Sequence, residues 1–128
     1  MDPTFDRDGY PTEATLERIE CADPADALDL ARVAWHWPDI VRETLSPPEL
    51  AVVLVGESLV GHRFVRFATG GWSGNESVIT ALRRNRLAWL TTWRLSARGG
   101  LYIFEYPKER DREPAVPAVA TIAKGGDL

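Results

Sequence analysis

The chain has little sulfur and little histidine. Its 128 residues include one cysteine, Cys21, one methionine and two histidines, His36 and His62. A single cysteine excludes an intramolecular disulfide and fits a reducing compartment. A zinc site needs several sulfur or nitrogen ligands, so the sequence predicts no metal site, and no motif in it predicts a cofactor.

Long hydrophobic runs are also lacking. The longest apolar run, Leu50–Val55, has six residues, whereas a transmembrane helix needs about 20. The first residues, Met1–Thr4, are acidic and contain no apolar segment of the kind found in signal peptides. We therefore expect a protein of the cytoplasm that does not enter a membrane.

The chain does contain enough apolar residues to form the core of one folded domain. Hydrophobic residues make up 45% of the sequence, and five residues are tryptophan. This length and composition are typical of a single globular domain. From Pro107 onward the sequence mixes charges with proline, alanine and valine, a composition that buries little surface. We predict one domain over residues 1–106 and a flexible tail over residues 107–128.

The charges are unevenly distributed along the chain. Residues 1–49 carry twelve acidic and four basic side chains, whereas residues 50–106 carry three acidic and seven basic ones. Either the two parts attract each other within the fold, or one of them faces a charged partner. Attraction within the fold is the simpler interpretation.

Local patterns predict the order of helices and strands. Asp23 and Pro24 suit the start of a helix, and Ser73 and Glu76 have the spacing of a capping box. The predicted helices are Pro11–Cys21, Pro24–Trp37, Asp39–Leu45 and Gly74–Arg86. The predicted strands are Leu50–Val55, His62–Thr69, Leu87–Leu95 and Leu101–Tyr106, with a hairpin loop at Ser96–Gly100. Ser46–Glu49 also has capping-box spacing, which would start a helix where we predict the first strand.

These elements predict an α+β fold. Its simplest form is a small antiparallel sheet of three to four strands with helices packed on one face. Two helices are N-terminal and one helix lies between two hairpins. Short strands leave sheet edges that need covering, so we expect a monomer or a homodimer.

Several segments resemble one group of proteins. They are Asp6–Leu16, Thr69–Glu76 with its Gly-Gly-Trp-Ser-Gly-Asn-Glu string, Leu87–Trp89 and Arg98–Glu105. The chain resembles small proteins encoded by phages, prophages and other mobile elements over about residues 6–106. Many of those proteins have two basic residues before the second glycine pair and a histidine after it. Here Ala97 and Arg98 precede the pair and Leu101 follows it, so no chemistry that depends on that histidine is carried over.

The loop Gly70–Glu76 is the first candidate site. Because it opens a helix, its backbone N–H groups could hold an anion. Alternatively, Ser73 and Glu76 cap the helix themselves. Trp72 is either an exposed anchor for a partner or, as we favour, packed over the sheet.

Charged side chains supply the other candidates. Arginines near the end of the Gly74–Arg86 helix and on the following strands could form a basic face, and acidic residues cluster on the second helix. The complete set of partner-binding candidates is Trp72, Ser73, Asn75, Arg83, Arg84, Arg86, Arg94, Arg98, Asp23, Asp26 and Asp29. A triad of Ser73, His62 and an acid lacks the sequence pattern of a nucleophile elbow, so we predict no catalytic residues and no enzyme.

These observations lead to a hypothesis about function. We expect an accessory protein of a phage or mobile element that binds a host protein and inhibits a host defence or regulatory system. The acidic first half would imitate nucleic acid or mask a basic groove of the target. The alternative is a small regulator that binds nucleic acid through its arginines, and an enzyme is the third possibility.

Overall fold

The structure, a computed structural model, describes residues 2–36, 41–44, 48–50 and 62–107. The first two helices are α1 (Glu13–Cys21) and α2 (Pro24–Ala34), followed by the short strand β1 (Arg42–Thr44) and a 3₁₀ turn at Pro48–Leu50. The remaining elements are β2 (Phe64–Ala68), α3 (Ser73–Arg84), α4 (Arg86–Thr92), β3 (Trp93–Ala97) and β4 (Leu101–Glu105).

Both N-terminal helices form as predicted, with shifted ends. Helix α1 begins at Glu13, because the Thr12 side chain accepts a hydrogen bond from the Thr15 N–H at 3.3 Å and caps the helix there. Helix α2 begins at Pro24 and ends at Ala34, three residues before the predicted end. At Trp35 the backbone becomes extended, and the indole packs on Phe67 with ring centroids 4.7 Å apart.

The prediction was wrong for Leu87–Leu95, where a helix precedes the strand. Helix α3 ends at Arg84, and Asn85 starts α4 because its side chain accepts a hydrogen bond from the Ala88 N–H at 3.1 Å. Helix α4 then buries Ala88 and Thr92, which lie one helical turn apart. The strand begins only at Trp93 and continues to Ala97.

The segment before β2 also differs from its prediction. Arg42–Thr44 forms a strand, not part of a helix, and it pairs antiparallel with β2 through Arg42 opposite Arg66 and Thr44 opposite Phe64. Cross-strand pairing with an otherwise open edge of β2 outweighs any local helical tendency there. Leu50 lies in the 3₁₀ turn and is fully buried, while residues 51–55 of the predicted strand lie outside the described residues.

The described strands form one antiparallel sheet in the order β1-β2-β4-β3. Val65, Phe67 and Phe104 point to the face that carries the helices and join their core. On the opposite face Phe64, Ile103 and Leu50 form a smaller buried cluster. The predicted α+β architecture is therefore confirmed, with two N-terminal helices and helices on one face, although two helices rather than one separate β2 from the β3–β4 hairpin.

Two further predictions concern the hairpin loop and the tail. Gly99 and Gly100 have φ of 85° and 80°, the conformations that favour glycine in the turn between β3 and β4. The predicted tail, apart from Pro107, lies outside the described residues. Within the described part of the chain, no helix has the length and apolar character needed to cross a membrane.

Candidate partner-binding surface

The start of α3 is built differently from the predicted capping box. The helix has Trp72 as its N-cap, and no side chain provides a cap hydrogen bond. Ser73 is already inside the first turn, and its hydroxyl is hydrogen-bonded to the Tyr10 hydroxyl at 2.9 Å. The Glu76 N–H donates to the Trp72 carbonyl at 3.1 Å. The capping-box prediction was wrong because the helix begins one residue early, which turns Ser73 toward the N-terminal segment.

Trp72 is half-buried within a stack of aromatic rings. Its centroid lies 4.8 Å from that of Tyr10 and 4.7 Å from that of His36. Gly74 is required beneath it, because a Cβ at that position would lie 2.5 Å from the Trp72 Nε1 atom. Trp72 therefore joins the N-terminal segment, the end of α2 and the start of α3.

Asn75 belongs to the same junction and lies inside the protein, with 1% of its surface exposed. Its Oδ1 accepts from the His36 N–H at 2.7 Å, and its Nδ2 donates to the Thr69 carbonyl at 3.2 Å. A partner cannot reach this side chain in the present conformation. Gly70–Glu76 thus acts as a junction that holds β2, α2 and α3 together.

The predicted basic face is divided among several elements. Arg94 donates to Glu105 at 2.9 Å, and Arg84 lies 3.6 Å from a Glu20 oxygen. Two more arginines are paired with carboxylates: Arg63, just before β2, with Glu43 at 2.9 Å, and Arg66 of β2 with Glu49 at 3.1 Å. Among the described residues, Arg86 and Arg98 form no ion pair within 4.0 Å, and both are exposed. The structure therefore does not gather these arginines into one free cationic surface.

Large apolar side chains are exposed on α4 and at the start of β3. Leu87 is 62% exposed, Leu90 is 72% exposed and Trp93 is 38% exposed. Leu87 and Leu90 lie three residues apart and so share the side of α4 that faces away from its buried Ala88 and Thr92. The sequence prediction missed these residues because it placed them on a strand.

Trp89, which lies between the two leucines in the sequence, is half-buried and packs on Phe104 with ring centroids 5.4 Å apart. Trp89 and Trp93 are nearly parallel, with centroids 6.0 Å apart and an interplanar angle of 13°. The Arg83 guanidinium lies over the Trp89 ring at 4.8 Å, a cation–π contact. We call Arg83, Leu87, Trp89, Leu90 and Trp93 the α4 surface.

The acidic candidates lie on α2, next to this surface. Asp23, Asp26 and Asp29 are all exposed. A cleft of about 550 Å³ brings Asp23 and Asp26 together with Leu87. Its described lining is Asp23, Pro24, Ala25, Asp26, Leu87, Thr91 and Pro107. The structure thus combines two of the three predicted aspartates with the exposed leucine that the sequence did not predict.

Asp29, which lies farther along α2, also belongs to a polar network. It accepts from the Tyr106 hydroxyl at 2.8 Å, and that hydroxyl accepts from Arg32 at 3.2 Å. Burial raises the pKa of Tyr106 to about 12. Glu43 accepts from Arg63 and Arg32, and the hydrogen bond from Arg63 is the main reason that its pKa is lowered. The network links α2 to β1 and to the residues next to the central strands β2 and β4.

His62 and Ser73 are not brought together by the fold. His62 precedes β2, and its Nδ1 is paired with Glu105, whereas Ser73 follows the other end of β2 and contacts Tyr10. A five-residue strand separates the two ends by about 16 Å, far beyond hydrogen-bond distance. The described residues also contain no group of three or more histidine, cysteine, aspartate or glutamate side chains that could hold a metal ion.

Comparison with known proteins adds one partial similarity. No protein-family model matches the chain, and no solved structure matches it. The chain is 33% identical to hemocyanin 2 of Megathura crenulata over 84 residues. This similarity covers 66% of the chain but only 2% of the hemocyanin, so it carries neither family nor activity over to this protein.

Proposed function

We propose that this protein acts by binding another protein through the α4 surface. The observation behind the proposal is the exposure of three large apolar side chains within seven residues, Leu87, Leu90 and Trp93, together with the Arg83–Trp89 contact. Tryptophan and arginine are the residues most enriched at binding hot spots. Large apolar side chains grouped on one exposed surface also mark interaction sites more often than isolated ones do.

The resemblance carried by the Gly70–Glu76 string and its companion segments supports a setting for this binding. We propose an accessory protein of a phage or mobile element that binds a host protein in the host cytoplasm and inhibits a defence or regulatory system. The chemistry of the α4 surface supports binding rather than catalysis. Its side chains are apolar and cationic, and they offer no nucleophile or general base.

Protein binding explains the arginines better than nucleic-acid binding does. Nonspecific nucleic-acid binding depends on several free cations that track a phosphate backbone. Here Arg63, Arg66, Arg84 and Arg94 are each within 4.0 Å of a carboxylate, which neutralises much of the predicted basic face. Arg83 is placed over an aromatic ring instead.

The proposal is tested by capturing partners from host lysate, with and without nuclease and at two salt concentrations. The wild-type chain is compared with the double variant Leu87→Ser/Leu90→Ser. Phe5→Ser is the matched control, because Phe5 is 45% exposed and lies outside the α4 surface. We expect a discrete host protein that survives nuclease, is retained by Phe5→Ser and is lost by the double variant. Equal recovery with the double variant would refute the α4 surface as the binding site.

Recovery of nucleic acid alone would support the alternative function. In that case nuclease and high salt would abolish recovery, and Arg83→Ala/Arg84→Ala/Arg86→Ala would weaken binding while Leu87→Ser/Leu90→Ser would not. The same experiment therefore separates the two functions.

A further inference from the structure

Two clefts border the exposed side of α2, and one of them includes Leu87 of the α4 surface. The cleft beside Leu87 shares Asp26 with a second cleft of the same volume, about 550 Å³. The second cleft continues along α2 past Asp29 and Leu30 to Val33, which is 56% exposed. We call these two adjoining clefts the α2 groove.

The lining of the α2 groove combines apolar side chains with a row of three aspartates. Leu87 and Val33 are exposed at its two ends, and Leu30 is partly exposed between them. Asp23, Asp26 and Asp29 follow one another at three-residue intervals along α2, and the described lining contains one cation, Arg18. Asp29 accepts from Tyr106 but stays exposed to solvent. The surrounding sequence strengthens the negative field, because residues 1–49 carry twelve acidic and four basic side chains.

The length of the groove fits a short helix. Asp23 and Val33 are ten residues apart on or beside α2, which corresponds to about 15 Å at 1.5 Å per residue. A docked helix of about ten residues has the same length, and its apolar positions recur every three to four residues. Such a helix can place apolar side chains against Leu87, Leu30 and Val33 while its cations face the aspartates.

We propose that the α2 groove binds a basic amphipathic helix of the partner protein. This inference rests on the proposed function and names the chemistry of the segment that the protein recognises. Charge complementarity identifies the occupant, because a groove that combines exposed apolar side chains with three carboxylates favours cations and disfavours acidic segments.

The test uses the full chain and a synthetic helical peptide of about 12 residues, with leucines at three- to four-residue spacing and lysines elsewhere. A peptide of identical composition with its leucines dispersed around the helix is the control ligand. Binding is followed by fluorescence anisotropy at two salt concentrations. We expect the amphipathic peptide to bind at least tenfold more tightly than its isomer, with the affinity reduced by salt.

Protein variants then locate the peptide. Asp23→Asn/Asp26→Asn should weaken binding roughly three- to tenfold, as expected for the loss of two exposed charge pairs. Asparagine remains a good N-cap, and the Asp23 side chain makes no cap hydrogen bond, so α2 should be preserved. Asp8→Asn/Glu76→Gln removes two exposed charges outside the groove and should leave the affinity within twofold.

Three outcomes would overturn the inference. They are equal affinity for the two peptides, no effect of Asp23→Asn/Asp26→Asn, or a homodimer in sedimentation experiments that the same double variant dissociates. Failure of this inference is distinguishable from failure of the proposed function. A lysate partner that is lost by Leu87→Ser/Leu90→Ser but retained by Asp23→Asn/Asp26→Asn would refute only the groove.

Discussion

Two buried asparagines connect elements that are distant in the sequence. Asn75 binds the backbone of His36 and Thr69, as described above. Asn85 donates to the carbonyls of Ile19 and Ala22, at 2.9 and 2.7 Å, while its Oδ1 caps α4. Each amide satisfies backbone groups at the end of another element, where helices otherwise leave carbonyls unpaired. Each side chain therefore connects the start of one helix to the end of another.

We expect Asn85→Ala to lower the free energy of unfolding by about 3 kcal/mol, because it removes a cap and leaves two carbonyls without their donor. Urea unfolding measures the change. Asn85→Asp keeps the acceptor that caps α4 but places a buried carboxylate oxygen against the carbonyls of Ile19 and Ala22, so at neutral pH it should be at least as destabilising as alanine. If both variants were as stable as the wild type, the connection between α1 and α4 would have no energetic role.

Gly74 is expected to resist even the smallest substitution. Alanine in a helix is normally favoured over glycine by about 1 kcal/mol. Here the added methyl group would collide with the Trp72 indole, and overpacking of this kind costs about 1–3 kcal/mol. Gly74→Ala should therefore reduce the melting temperature and change tryptophan fluorescence, whereas Ser77→Ala in the same helix should do neither. A stabilised Gly74→Ala protein would contradict the observed position of Trp72.

Tyr106 should make the protein sensitive to alkali. Burial raises its pKa in the folded state to about 12, above the ordinary value of 10.0. The unfolded chain therefore releases this proton first, so the stabilising contribution is complete below pH 10 and declines as the pH rises toward 12. Thermal unfolding over this range should show a steeper loss for the wild type than for Tyr106→Phe. Parallel curves would show that Tyr106 is not responsible.

At the level of elements, α4 shows why the sequence prediction failed locally. Trp89, Thr91 and Trp93 alternate with other residues, and β-branched and aromatic residues favour strands. The decisive signal is Asn85, because it can cap a helix and its amide is fixed by carbonyls of α1. That second role depends on tertiary contacts and is invisible in the local pattern. The same misassignment concealed the exposure of Leu87 and Leu90.

A helix and a strand at this position predict different exposures for the side chains of Leu90 and Thr92. On a strand the two side chains would share one face, whereas in α4 Leu90 is exposed and Thr92 is 1% exposed. Leu90→Lys should therefore leave the free energy of unfolding within about 0.5 kcal/mol of wild type. Thr92→Lys should cost about 3 kcal/mol or more, since it buries a charge. Similar effects of both substitutions in urea unfolding would contradict the helix.

For the molecule as a whole, periodicity and caps predict the α+β class, both N-terminal helices and three of the four strand positions in part. The strand β1 was missed because it has three residues and is defined by its pairing with β2. The candidate site was predicted less well. Asp23 and Asp26 do lie beside a cleft, but Asn75 is internal and the arginines are dispersed, because ion pairs between distant residues decide which charges remain free.

The sheet order has a consequence for how the chain folds. β2 and β4 are neighbours in the centre of the sheet, yet α3, α4 and β3 lie between them in the sequence. The β3–β4 hairpin closes through local contacts, whereas the central pair must close a loop of more than thirty residues. During synthesis β2 therefore has no inner neighbour until β4 has left the ribosome. Nascent chains that stop before Leu101 should remain sensitive to protease. Resistance to protease should appear only once residues 101–105 have emerged from the ribosome.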